Sequence, residues 1–125
     1  MRIAVFSEIG ALRKVLIHRP GPELEQLTPP HLSRMLFDDI PFLQGAQREH
    51  DRFAGALKAE GVQVCYLKDM VAQSLEAPGA RDRFIEEFIT LSGRAAVSER
   101  AALRELFSGI RDNTALVEKT MAGVT

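Results

Sequence analysis

The sequence predicts an α/β fold with a βαβ core that continues as a layer of helices. Two runs, 12–18 and 62–67, have the β-branched content that is typical of strands. The long amphipathic pattern between them ends at Glu60, and the next residue, Gly61, is well suited to end a helix. Because parallel strands are joined by a crossover, usually a helix, we expect the two strands to pair in parallel.

The composition is that of an ordinary folded domain. The chain has 125 residues, 46% of them apolar and 26% charged, so it can bury a core and is too apolar to be disordered. The net charge of −1 argues against nucleic acid or an anionic membrane as a partner. The sequence has no apolar run long enough to cross a bilayer and no signal-peptide pattern at its amino terminus. One cysteine rules out an internal disulfide and favours a cytoplasmic location.

The first strand is predicted to end at Arg19-Pro20-Gly21-Pro22, because proline removes a backbone donor and glycine favours a turn. A shorter strand is predicted before it, over residues 3–6. The residues from Glu23 to Met35 are predicted to form a loop, with one helical turn on each side of Pro29-Pro30.

The stretch Leu36-Phe37-Asp38-Asp39-Ile40-Pro41 is predicted to start the long helix. Aspartate is a preferred N-cap residue, so we expect Asp38 or Asp39 to accept hydrogen bonds from the first turn. Pro41 is expected within that turn, where its missing N–H costs nothing. The apolar face of the helix is predicted to contain Phe42, Ala46, Phe53 and Leu57, and less strictly Leu43 and Ala54.

The remainder of the chain is predicted to be helical. The apolar spacing predicts a short helix over 68–75, a second from Ala80 and a third that begins with Ser98 as its cap. Asp112 or Asn113 is expected to cap a last helix.

The predicted sheet lacks neighbours. Two parallel strands and one crossover do not make a stable sheet, and parallel strands are normally covered on both faces. We therefore expect further strands to come either from another chain, for which a homo-oligomer is one arrangement, or from a longer protein.

Most residues whose type suggests chemistry have structural explanations. Cys65 is the obvious nucleophile by type, but it lies inside a strand and burial habits favour a core cysteine. His18 at a strand end is a candidate general base, although loop packing is the commoner role of a lone histidine. His31 is assigned no role, and the spacing around His50 fits no metal-binding motif.

Asp38 and Asp39 form the most informative pair. A helix cap explains one of them, and we favour Asp39 for that role. The other can, by type, accept a bidentate hydrogen bond from a guanidinium group. The sequence contains no glycine-rich phosphate loop, CxxC pair or Ser-His-Asp order.

Several stretches together resemble the opening of bacterial arginine deiminases. They follow one another in order over nearly the whole chain, most clearly up to Leu75. The stretches are Phe6-Ser7-Glu8-Ile9-Gly10, Leu12-Arg13-Lys14-Val15-Leu16-Ile17-His18-Arg19-Pro20-Gly21, Glu23-Leu24, Leu27-Thr28-Pro29, Leu36-Phe37-Asp38-Asp39 and Ala46-Gln47-Arg48-Glu49-His50-Asp51.

The resemblance implies a partial pentein fold. Penteins are propellers of ββαβ-type modules around a central substrate, and arginine deiminases add a helical insertion after the first module. Residues 1–75 would then form a first, incomplete pentein module, and residues 76–125 would form the start of the all-helical insertion. This arrangement would explain both the strands without partners and the helices that follow them.

The resemblance also implies an activity in the complete enzyme, with L-arginine as the substrate and no cofactor or metal ion. Arginine deiminases hydrolyse L-arginine to L-citrulline and ammonia through an amidino intermediate on a cysteine. The segments that carry this cysteine, the proton-transferring histidine and the carboxylates that hold the guanidinium are missing here. We therefore expect no catalytic residue in this chain and no activity from it alone.

Three residues are carried over from the resemblance as candidates for the substrate site. Leu36 matches a position of the substrate pocket, where it would form an apolar wall. Asp38 and Asp39 match the signature around that position, and a structural role is favoured for both.

Two alternatives stay open. Other guanidino-modifying penteins, such as amidinotransferases, have related beginnings, and only the missing pocket segments would separate them. A binding or assembly module without catalysis would instead fold alone, as a monomer or as an oligomer that completes the sheet. If the chain is instead part of a deiminase, its partners are the remaining segments of that enzyme. In that case we expect an exposed sheet edge and apolar patches.

Overall fold

The computed structural model describes residues 5–27, 32 and 38–124. It is mostly helical and contains a small parallel sheet, as expected of part of an α/β fold. In chain order the elements are β1 (Lys14–Ile17), a 3-10 helix (Pro22–Gln26), α1 (Leu43–Ala59), β2 (Gln63–Tyr66), α2 (Leu67–Ser74), α3 (Ala80–Leu91), α4 (Arg94–Ser98), α5 (Arg100–Gly109) and α6 (Asn113–Ala122). None of the helices in the described ranges combines the length and apolarity that crossing a membrane requires.

The predicted βαβ unit is confirmed. Strands β1 and β2 pair in parallel with Leu16 opposite Cys65 and Ile17 opposite Tyr66, and α1 forms the crossover. The Gln63 N–H donates to the Arg13 carbonyl at 2.9 Å, one residue before β1 begins. Four-residue strands bury little surface by themselves, so the pair depends on what packs against it.

The carboxyl end of α1 follows the sequence signal closely. Gly61 has a φ of +79°, a backbone conformation that a side chain makes costly. Its N–H donates to the Lys58 carbonyl at 3.0 Å, and the Val62 N–H donates to the Leu57 carbonyl at 3.0 Å. This pair of bonds is a Schellman motif, which satisfies the last carbonyls of the helix and turns the chain into β2.

The predicted start of α1 is wrong. The helix begins at Leu43 with Phe42 as its N-cap, and no side chain of the described residues caps it. Asp39 instead accepts a local hydrogen bond at 2.7 Å, from the Ile40 N–H to its Oδ1. Aspartate readily makes such short-range backbone contacts, which compete with capping. Pro41 therefore precedes the helix and does not lie in its first turn.

The predicted packing face of α1 is confirmed in part, since Leu43, Ala46 and Leu57 are half-buried. Ala54 is buried, whereas Phe53 is 57% exposed and Phe42 is 65% exposed. Phe53 lies one position from Ala54, which is about 100° around the helix, and this rotates its ring off the packed side. Two aromatic side chains are consequently left on the outer surface of this layer.

The helical layer has its own core. Its fully buried side chains are Phe107, Ile85, Ile89, Leu116 and Val117, joined by Ala72 and Leu75 from the end of α2. The rings of Phe88 and Phe107 meet edge to face with centroids 5.5 Å apart, an arrangement favoured by their quadrupoles. The boundary at residue 75 between the first module and the helical insertion stays a prediction. In the structure, α2 contributes side chains to the core that residues 85–117 form.

One half-buried polar connection ties the ends of these helices together. Arg81 donates to the Ile110 carbonyl beyond the end of α5 and to Asn113 Oδ1 at 2.6 Å. Asn113 in turn donates to the Ala72 carbonyl at 3.4 Å. A guanidinium is suited to this position because several of its donors can bind acceptors at once.

The helical caps were predicted in part. Asp112 caps α6, accepting from the Ala115 N–H at 2.6 Å as expected. Ser98 does not cap a helix, because its hydroxyl donates back to the Ala95 carbonyl at 2.7 Å. It ends α4, a five-residue helix that the sequence pattern did not predict.

The amino-terminal predictions have mixed outcomes. Val5 and Phe6 lie outside any strand and are largely exposed, so the described part of the 3–6 strand is wrong, and residues 3 and 4 lie outside the described ranges. The 3-10 helix confirms the helical turn expected before Pro29-Pro30. The turn expected after it falls outside the described residues, apart from the single position 32.

The helical core gives the first testable prediction. Phe107 is 0% exposed, and Phe107→Ala should lower the free energy of unfolding by about 3–5 kcal/mol, because it removes a ring from a closely packed core. Leu106→Ala, at a neighbouring position that is 43% exposed, should cost about 1 kcal/mol or less. Urea denaturation followed by circular dichroism measures both. Equal losses for the two variants would contradict this core.

Candidate functional site

The carboxyl ends of both strands lie at the same edge of the sheet. β1 leads into His18 and Arg19, and β2 leads through Tyr66 into Lys68 and Asp69 at the start of α2. Parallel strands bring such residues together, and ligands of open α/β sheets bind beyond this edge. This edge is the candidate site that the fold offers.

The loop 18–23 is folded around the carboxylate of Glu23. Glu23 Oε1 lies 2.7 Å from His18 Nε2 and accepts a hydrogen bond of 2.7 Å from the Gly21 N–H. The Leu24 N–H donates to the Gly21 carbonyl and begins the 3-10 helix. The prolines at 20 and 22 further restrict the backbone of this turn.

Helix α1 holds the same loop from the other side. Arg19 binds the Asp51 carboxylate in a bidentate fashion, with Nε–Oδ1 and Nη2–Oδ2 distances of 2.8 and 2.9 Å. Gln47 Nε2 donates to the Pro20 carbonyl at 2.9 Å. Gln47 and Asp51 are four residues apart and therefore share one side of the helix.

The loop, the strand ends and α6 enclose a cavity of about 290 Å³. Lys68 Nζ donates to Glu118 Oε1 of α6 at 2.6 Å, and both residues belong to the lining of the cavity. Apolar parts of the wall come from Tyr66, Met121 and the prolines at 20 and 22. The lining therefore mixes charged groups with apolar surface, as small-molecule sites do.

The ion pairs set the protonation preferences of this region. Hydrogen bonding to Arg19 holds the pKa of Asp51 below its ordinary value, and the same contact raises the pKa of Arg19. Burial of Glu23 works to raise its pKa, but hydrogen bonds from His18 and from backbone N–H groups outweigh burial and lower it. The two cations of the lining, Arg19 and Lys68, each have a carboxylate partner. The arrangement thus fits a structural junction better than a reacting centre.

The geometry of the site does not identify a protein family, but comparison with known proteins does. A sequence model described as arginine deiminase matches residues 33–125, which is more than half of the chain. This chain belongs to the arginine deiminase family.

Curated arginine deiminases agree with this assignment. The enzyme of Streptococcus gordonii is 57% identical over 122 residues, a match that covers 98% of this chain and 30% of the relative. The arginine deiminases of Streptococcus sanguinis and Streptococcus pneumoniae match at the same identity and coverage. The chain therefore spans 30% of the length of these relatives, and the predicted resemblance to the family is confirmed.

Of the three residues predicted for the substrate site of the deiminase, the structure describes Asp38 and Asp39. Leu36 lies outside the described residues. Asp38 and Asp39 are exposed, and neither lines the cavity. A role in substrate binding stays a prediction for all three.

The other candidates have structural surroundings. Cys65 is half-buried within β2. The ring of His50 in α1 packs against the ring of Tyr66 in β2, with centroids 6.1 Å apart. Neither ring nitrogen of His50 has a hydrogen-bond partner among the described residues. His18 binds Glu23, and His31 lies outside the described ranges. No group of three or more His, Cys, Asp or Glu side chains in the described part of the chain is arranged to hold a metal ion.

Sequence reasoning did not connect Glu23, Gln47 and Asp51 with the loop. A signal was present, because His18 to Gly21, Glu23 and the segment from Gln47 to Asp51 all belong to the stretches that resemble the opening of arginine deiminases. The four-residue spacing of Gln47 and Asp51 also placed both on the polar side of α1.

The lowered pKa of Glu23 gives a pH-dependent prediction. A carboxyl group whose folded pKa lies below its ordinary value of 4.5 stabilises the fold above that value, and this contribution is lost as the pH falls through the folded pKa. Glu23→Gln should therefore cost roughly 1 kcal/mol near neutral pH and progressively less below pH ~4.5.

Thermal denaturation across this pH range provides the measurement for Glu23. Glu25→Gln, at an exposed position of the same 3-10 helix, serves as the control and should change little at any pH. A Glu23→Gln effect that is independent of pH would show that the charge of Glu23 does not hold the loop.

Proposed function

We propose that this chain is the amino-terminal part of an arginine deiminase, which as a complete enzyme hydrolyses L-arginine to L-citrulline and ammonia. The observation that carries the proposal is the 57% identity with curated arginine deiminases across 98% of the chain. Within this proposal the polypeptide forms part of a pentein, with the first module over 1–75 and a helical insertion from residue 76. The enzyme would act in the cytoplasm, in arginine breakdown.

The proposed reaction depends on residues outside these 125. A cysteine thiolate attacks the guanidinium carbon, a C–N bond breaks and ammonia leaves. Water then cleaves the carbon–sulfur bond, which releases citrulline and restores the thiolate. Cys65 is not proposed as this nucleophile, because it lies half-buried in β2 with no base beside it that the described structure shows.

The contribution of this chain to the proposed enzyme is largely scaffolding. Leu36 is proposed as an apolar wall of the arginine pocket, and Asp38 and Asp39 as residues that shape the segment beside it. The loop 18–23, held by Arg19–Asp51 and Gln47–Pro20 contacts, fixes one end of the strands. An amidinotransferase, the alternative within the superfamily, is less well supported because the relatives carry the name arginine deiminase.

A chimera tests the proposed function. The 125-residue chain alone should form no citrulline from arginine, since it has no proposed catalytic residue. The same chain joined to the part of the Streptococcus gordonii enzyme that follows the aligned residues should form citrulline, with the intact Streptococcus enzyme as the positive control. Citrulline formation is read colorimetrically and by mass spectrometry.

Two results would contradict the proposal. Citrulline produced by the 125-residue chain alone would show that this chain contains a complete site. A folded chimera that transfers the amidino group of arginine to an amine acceptor, and forms no citrulline, would support the amidinotransferase alternative.

A further inference from the structure

The cavity beyond the strand ends is built from three separate parts of the chain. Its lining comes from the loop 18–23 after β1, from the start of α2 after β2, and from Glu118 and Met121 of α6. Its volume of about 290 Å³ lies at the small end of the range for ligand pockets. The cavity is therefore large enough for a ligand of a few heavy atoms, at the edge where open α/β sheets bind ligands.

The region of the cavity has a surplus of negative charge. Arg19 and Lys68 are the two cations of the lining, and each already has a carboxylate partner, Asp51 for Arg19 and Glu118 for Lys68. Two further carboxylates of the lining, those of Glu23 and Asp69, have no Lys or Arg partner among the described residues. Four carboxylates against two cations, with histidine neutral, leave two negative charges in a chain whose net charge is −1. The surplus is thus local to this region.

The two surplus carboxylates lie on different elements of the wall. Asp69 is in the first turn of α2, and no donor of the described residues bonds to its side chain. Glu23 belongs to the 3-10 helix, and His18 and the Gly21 N–H both use its Oε1. The hydrogen bonds that lower the pKa of Glu23 keep it ionised near neutral pH. Both carboxylates can therefore attract a cation.

The apolar part of the lining suits the hydrocarbon portion of such a cation. Tyr66 and Met121 provide apolar surface in the same wall. Lys58 Nζ already lies 5.6 Å from the centroid of the Tyr66 ring, and aromatic rings attract cations through their quadrupole. Carboxylates beside apolar and aromatic surface form a lining that matches an organic cation better than a bare metal ion, which needs several oxygen ligands.

We propose that this cavity binds a small primary alkylammonium compound, with Asp69 and Glu23 around its charged end and Tyr66 and Met121 against its hydrocarbon part. An ammonium group is a compact charge with three donors, so it can bind acceptors that come from different elements. The inference goes beyond the proposed function and does not depend on it.

Three probes of the same length test the charge preference of the cavity: butylamine, butanol and butyrate. Each is titrated near neutral pH into the 125-residue chain alone, the free chain, whose methionine methyl groups are isotope-labelled. The NMR signal of the Met121 methyl group reports binding, and Met121→Leu, which removes that signal, assigns it. Butylamine should bind saturably and about tenfold more tightly than butanol, since each of two carboxylates contributes about threefold. Butyrate should not bind, and added salt should weaken the binding of butylamine.

Substitution of Asp69 provides the second measurement. Asp69→Asn should raise the Kd of butylamine about threefold, because it removes one of the two surplus charges. Asp82→Asn is the matched control, since Asp82 lies in the first turn of α3, is exposed and does not line the cavity. It should leave the Kd unchanged. Neither substitution removes a side-chain hydrogen bond of the described residues, and circular dichroism checks that both variants fold.

Several results would overturn the inference. Equal affinity for butylamine and butanol would show a cavity without charge preference, and saturable binding of butyrate would show an anion site. Equal effects of Asp69→Asn and Asp82→Asn would show non-specific attraction to the whole surface. Binding to the free chain that is absent from the folded chimera would show that the remaining polypeptide fills the cavity.

The outcome for the cavity is separate from the outcome for the proposed function. A chimera that forms citrulline but does not bind butylamine would overturn the ammonium site and leave the proposed function standing. A folded chimera that binds butylamine through Asp69 but forms no citrulline would support the ammonium site and count against the proposed function.

Discussion

The parallel pairing of β1 and β2 is the constraint on which the rest of this structure depends. Parallel strands cannot be joined by a tight turn, so the chain must return along the sheet through α1 before β2 can form. The return places one face of the sheet against His50 and Lys58 and leaves Leu16 on the other face. It also brings the ends of both strands to one edge, where the loop after β1 meets the start of α2.

The loop 18–23 links the sheet to both of its neighbours. Arg19 and Pro20 attach it to α1, and Glu23 holds its turn. The 3-10 helix that follows packs against α6, and Lys68 bonds to Glu118 of the same helix. Exposed pairs such as these add little stability individually. Their combined effect is positional, since they set where the helical layer lies relative to the strand ends.

The predictable parts of this fold are those with local signals. The β-branched runs correctly predicted β1 and β2, and Gly61 correctly predicted the end of α1. Each of these signals depends only on residues a few positions away in the sequence. The start of α1 was missed because Asp39 satisfies a neighbouring N–H instead of a helical one. Phe53 was misassigned because an apolar side chain alone does not show which layer covers it.

The Arg19–Asp51 pair joins residues 32 positions apart, and no periodicity or spacing rule predicts such a contact. The family was recognisable because many short stretches occurred in order, although each one was weak alone.

The helical layer has a buried core of its own, whereas each strand of the sheet has one edge without a strand neighbour among the described residues. We therefore expect the sheet to be the less stable of the two layers. Native-state hydrogen exchange on the free chain tests it most directly, because exchange reports the opening free energy of each region. Amides that bond across β1 and β2 should exchange at least tenfold faster than those of buried helical residues such as Ile89, Phe107 and Leu116. Equal protection of the strands and the helices would contradict this expectation.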